Sequence, residues 1–219
     1  PRARLKKSLD EILATPYDKE KVIVTVESKV FGIGFESYTV GSHEFYMNYA
    51  AKNDILCLLD NGHFHPTEQV ADKISSTLMF VPELLLHVSR GVRWDSDHVV
   101  LSDDNTMAIM QEIVRNGAVD RVHIGMDFFD ASITRIFAWV IGMRAARKSL
   151  LCALLDPIQL MRKAENADDY GVRLTLMEEA RNLPSSAVWQ EYCRRTGKPC
   201  GLKMIEGVKK YEEKVLSKR

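Results

Sequence analysis

Ile55-Leu56-Cys57-Leu58-Leu59-Asp60-Asn61-Gly62-His63-Phe64-His65 is the stretch that decides the fold. Five apolar residues in a row, then a carboxylate, then Asn-Gly, is the pattern of a buried parallel strand that ends and turns out into a loop. Asp60 and His63 stand just past that strand end. Imidazole and carboxylate together suit a divalent first-row ion. An Asp before Asn-Gly also serves as a plain turn residue, so this stretch alone leaves both readings open.

The same pattern recurs on either side. Lys21-Val22-Ile23-Val24-Thr25-Val26-Glu27 reads as a buried strand ending in Glu27, with Lys29 two residues on. Glu83-Leu84-Leu85-Leu86-His87-Val88-Ser89 carries His87 near its carboxyl end, and Val122-His123-Ile124-Gly125-Met126-Asp127 ends in an acid. Between the strands, helical periodicity predicts helices over 5–13, 43–52, 66–80, 105–116 and 131–155. Asp103 or Asp104 is placed to cap the helix at 105–116, and Gly117 to end it. Further helices are predicted over 158–166, 169–183, 185–195 and 202–216. Strands alternating with helices imply a parallel sheet with right-handed crossovers. Ligand-type residues at four successive strand ends match a (β/α)₈ TIM-barrel type, whose chemistry sits at that face. A full barrel takes about 250 residues, and the last third of this chain is helical. The expected architecture is therefore α/β: the second half of a barrel, with four βα units over 1–156 carrying the metal site, and a C-terminal helical extension over 157–219.

Bulk composition narrows the partners. The chain has 219 residues, and its 30 Lys+Arg balance its 30 Asp+Glu, which gives no recommendation for nucleic acid or an anionic membrane. Four cysteines without CxxC spacing suggest a reducing compartment, and no stretch reaches about 18 apolar residues. A cytoplasmic protein acting on a small polar substrate is expected.

Longer motifs carry a resemblance. Val26-Glu27-Ser28-Lys29, Phe31-Gly32-Ile33-Gly34 and Glu36-Ser37-Tyr38-Thr39-Val40-Gly41-Ser42 resemble the bacterial L-rhamnose isomerases. So do Gly62-His63-Phe64-His65-Pro66-Thr67-Glu68, Leu84-Leu85-Leu86-His87-Val88-Ser89-Arg90, Val92-Arg93-Trp94-Asp95-Ser96-Asp97-His98-Val99-Val100, Arg121-Val122-His123-Ile124-Gly125 and Asp127-Phe128-Phe129-Asp130-Ala131-Ser132. The similarity covers nearly the whole chain and corresponds to the C-terminal half of that family. It implies a xylose-isomerase-like barrel with two divalent ions per site, Mn2+ or another such as Zn2+ or Co2+. Glu27, Asp60, His87 and Asp127 would hold the substrate-positioning ion. His63, Asp95 and Asp97 would hold the second, with Asp60 bridging. Lys29 would donate to a sugar oxygen, which with Asp60 makes the catalytic pair. The implied reaction interconverts L-rhamnose and L-rhamnulose by a metal-assisted 1,2-hydride shift, in a homotetramer. Two other readings stand beside it: a metal-dependent sugar epimerase on the same barrel, and a non-catalytic fragment or assembly piece. His65 and His98 are candidates for a supporting role around the ligands, and His43 and His123 read as structural. Arg90 and Arg93 are placed to offset the nearby acids.

Overall fold

The computed structural model describes residues 1–28, 38–65, 67–92 and 97–219. Its centre is a four-stranded parallel sheet in the order β1-β2-β3-β4, formed by Thr25–Glu27, Leu56–Asp60, Leu84–Val88 and Val122–Met126. Each strand lies beside its predecessor, so every βα unit adds to the same edge. The helices between them are α2 (His43–Asn53), α3 (Ala71–Thr77) and α4 (Asp104–Arg115), with α1 (Arg2–Leu13) leading and α5 (Arg135–Leu154) following. Helices α6 to α9 then span Ile158–Asn166, Tyr170–Ala180, Ser185–Arg195 and Leu202–Lys214. Among the described residues no helix is long and apolar enough to cross a membrane.

Strand alternation divides the sheet into two faces. Val26, Cys57, Leu59, Leu84, Leu86, Val88 and Val122 join the core with Tyr49, Ile74, Ile109 and Ile113 from the helices. Register places Glu27 beside Leu58, Leu58 beside Leu85, Asp60 beside His87 and His87 beside Gly125 on the opposite face. The helix layer thus takes one parity of each strand, and the polar strand ends belong to the other.

Helix α4 shows why the core holds together. Thr106, Ile109, Met110, Ile113 and Val114 are its buried residues, at the spacing of a single helical face. The Asp103 carboxylate accepts the Thr106 amide at 2.9 Å, a cap worth about 1 kcal/mol. Gly117, at φ +64, closes the other end as predicted. Helix α5 presents Ala138, Gly142, Ala145, Ala146, Ser149 and Ala153 as its buried residues, small side chains that let it lie close against its neighbours.

Several predicted boundaries move. The first strand has three residues rather than seven, and Val22 and Ile23 are 48% and 58% exposed. Edge position explains this: among the described residues β1 pairs with β2 alone, and before Thr25 only the bond from the Leu56 amide to the Val24 carbonyl continues the pairing. The helix predicted from 66 starts at Ala71, because the backbone bonds leading into it span three residues, as from the Glu68 amide to the His65 carbonyl and from the Asp72 amide to the Gln69 carbonyl. The helix predicted from 131 starts at Arg135, because Asp130 Oδ1 accepts the Ser132 amide and holds a turn there. Residues 215–218 leave the last helix for a short 3-10 turn, Leu216–Lys218.

Candidate metal centre

Four strand ends deliver their polar side chains to one place. Glu27, Asp60 and His87 each offer a ligand atom within 4.8 Å of the others. His87 Nδ1 lies 3.3 Å from Glu27 Oε1, 3.2 Å from Asp60 Oδ2 and 3.4 Å from Asp127 Oδ2. Yet neither His87 Nδ1 nor Asp60 Oδ2, both buried, makes a hydrogen bond to any described residue. One imidazole nitrogen thus faces three carboxylate oxygens and is aligned with none of them. Donors bound at about 2.1 Å to one ion stand about 3.0 Å apart in an octahedron and about 3.4 Å apart in a tetrahedron. The spacings around His87 match that, and the donor set suits a borderline divalent ion.

Asp60 is the centre of the group and is 0% exposed. Burial pushes its carboxyl up to about 6; the His63 charge and the Gly62 amide, which donates to Oδ1 at 2.6 Å, act the other way, while the charges of Asp97 and Glu27 add to the rise. A buried carboxylate among other carboxylates is unfavourable without a cation.

His63 is also buried. Its Nδ1 is 2.9 Å from the Ser28 carbonyl and 3.2 Å from Glu27 Oε1. A carbonyl only accepts, so Nδ1 carries a proton, and in the neutral ring the lone pair is on Nε2, 4.0 Å from Asp60 Oδ2. Metal-binding imidazoles are commonly held this way, the far nitrogen donating to a backbone carbonyl. Ser28, 3% exposed, is a supporting residue that side-chain chemistry did not reveal, because it contributes through its backbone. Gly125 is another. It is the β4 neighbour of His87, and a Cβ there would lie 3.2 Å from His87 Cδ2, so the ring leans over the bare position.

Asp127 completes the group from the solvent side, its side chain 56% exposed. Asp97 reaches the same region, since its Oδ1 and Asp60 Oδ1 both approach Gly62. Lys29, Arg93 and Asp95 lie outside the described residues. His65 is exposed, with Nδ1 2.6 Å from Thr67 Oγ1, which ties it to the turns before α3. His98 exchanges backbone bonds with Arg90, and Arg90 Nε donates to the Val99 carbonyl. Arg90 therefore braces this loop, and among the acids its charge acts on Asp130. His123 Nε2 is 2.5 Å from Glu83 Oε2. His43 packs edge-on against Phe64.

The family model for L-rhamnose isomerase (RhaA) matches residues 1–219. The chain belongs to the L-rhamnose isomerase family. The curated L-rhamnose isomerases of Salmonella enteritidis PT4 and Escherichia coli UMN026 are 57% and 58% identical to it over 219 residues. That alignment takes in 100% of this chain and 52% of each relative, so the chain spans about half the length of the curated relatives it matches.

Proposed function

We propose that this chain is the metal-binding half of an L-rhamnose isomerase, which interconverts L-rhamnose and L-rhamnulose. The observation that carries the reading is His87 Nδ1 facing the carboxylates of Glu27, Asp60 and Asp127 at 3.2–3.4 Å without a hydrogen bond to any of them. Sequential parallel order of four strands, with Ile124 on the edge strand 39% exposed, supports a sheet that is half of a (β/α)₈ barrel. Residues 1–156 form that half and 157–219 the helical extension. The assembled protein is a cytoplasmic homotetramer.

Glu27, Asp60, His87 and Asp127 would hold one divalent ion, Mn2+ or a similar cation, and His63, Asp95 and Asp97 together with Asp60 would hold a second. A divalent pair held there supplies Lewis acidity toward two neighbouring oxygens of the sugar. The rest of the work falls to the chain. Fixed acids orient the sugar, and Lys29 donates to an oxygen on which negative charge grows. Carboxylates given over to ligation are weak bases, so proton abstraction at C2 has no well-placed acceptor among them. The C2–H bond instead breaks with its electron pair, which forms the new bond at C1. Oxygen 2 loses its proton as the C2 carbonyl forms, and oxygen 1 gains one.

The test is single turnover of L-rhamnose in D2O by the full-length polypeptide, with the ketose examined at C1. Little deuterium is expected there. Substantial incorporation refutes the hydride shift, and absence of ketose with Mn2+ present refutes the isomerase reading.

A further inference from the structure

We propose that Gly62 is a positioning residue of this centre, its missing side chain making the space in which the Asp97 carboxylate stands against Asp60. The inference rests on the metal-centre reading above. A Cβ built on Gly62 would lie 2.6 Å from Asp97 Oδ1, 3.2 Å from Asp60 Oδ1 and 3.4 Å from Ser89 Oγ. Non-bonded carbon and oxygen seldom approach closer than about 3.3 Å. The bare position is thus ringed by three oxygens from three different parts of the chain, and one of them already occupies the room a methyl group would need.

The backbone does not call for glycine here. Gly117, Gly197 and Gly201 have positive φ, and Gly62 is not among them. Alanine is therefore conformationally acceptable at 62, and what excludes it is the Asp97 oxygen. Nor is Asp97 able to step back with its whole segment. The Asp97 carbonyl accepts the Phe129 amide at 3.3 Å, His98 is bridged to Arg90, and Val99 and Val100 are buried. On the other side Ser89 is 0% exposed and Asp60 is fixed through the Gly62 amide. Added at 62, a methyl group drives the Asp97 carboxylate off its place by more than about 0.5 Å, beyond the tolerance of a preorganised ligand.

Mn2+ titration of the full-length polypeptide tests this with four forms: wild type, Gly62→Ala, Asp97→Ala and the double variant. Gly62→Ala is expected to weaken Mn2+ about 10- to 100-fold, the range for residues that hold ligands in place, while its metal-free melting temperature stays at the wild-type value. With Asp97 truncated the clash is gone, so Gly62→Ala should then cost nothing further. Wild-type affinity in Gly62→Ala overturns the inference, as does a double variant weakened by the product of the two single effects. Unchanged affinity in Asp97→Ala instead removes Asp97 as a ligand and brings down the underlying reading. Should Gly62→Ala alone fail to fold, a folded double variant still supports the clash, and an unfolded one overturns it.

Discussion

Asp60→Asn separates what the centre costs the fold from what it gives the chemistry. Asparagine has nearly the same shape, and its Oδ1 keeps the Gly62 amide that Asp60 Oδ1 accepts at 2.6 Å. The charge goes, and an NH2 group takes the place of Oδ2. Burial raises the Asp60 carboxyl from 3.8 to about 6, which corresponds to about 3 kcal/mol of destabilisation when the group is ionised and no cation is bound. Because the folded value is the higher one, this group's contribution is complete below about pH 4 and is lost as the pH rises through about 6. At neutral pH the metal-free Asp60→Asn variant is expected to be more stable by up to about 3 kcal/mol, a rise in melting temperature of several degrees. Its metal-free stability should also lose the slope between about pH 4 and 6. With Mn2+ at about 1,000 times Kd the order reverses, since wild type then gains about 4.1 kcal/mol and the variant gains far less. Thermal and urea melts of the full-length polypeptide, in chelator and in Mn2+, measure both effects. A variant less stable than wild type in chelator, or one with the same gain from Mn2+, refutes the reasoning.

Imidazole must be neutral to hold a metal, so Mn2+ affinity should fall steadily as acid is added; a flat titration profile would remove both His63 and His87 from the ligand set. Gly125→Ala places a Cβ 3.2 Å from His87 Cδ2, and a several-fold loss of Mn2+ affinity is expected by calorimetry, with equal affinity refuting the role of the bare position. Asp156→Ala leaves Arg115, 18% exposed and 2.6 Å from the carboxylate, without its ion-pair partner, and urea melts should show a loss of about 3 kcal/mol. Gly117→Ala, at φ +64, should cost about 1 kcal/mol in the same melts, from backbone strain alone.

Strands and candidate ligands were legible together because both follow from one pattern, an apolar run with a polar side chain at its carboxyl end. Glu27, Asp60, His87 and Asp127 could be picked out on that basis, and the first three fall within ligand distance of one another. The cap at Asp103 and the stop at Gly117 were legible because each depends on a few adjacent residues. Strand β1 was not, since β-branched composition at 21–27 says nothing about sitting at an edge with one partner. The supporting contacts were hidden for a related reason. Ser28 acts through its carbonyl and Gly125 through a side chain it lacks, and neither leaves a chemical mark in the sequence.

The pairing of Asp60 with His87, and of Leu59 with Leu86, makes the packing of the core and the grouping of the polar strand ends two readings of one binary code. A slip of a single residue between β2 and β3 would turn an imidazole into the oily layer and a leucine toward the carboxylate cluster. Each leucine that seals the helix side therefore also votes for the correct presentation of the neighbouring polar side chain. Selection for a dry interior guards the polar face, and a mutation that loosens the alternation imperils both at once.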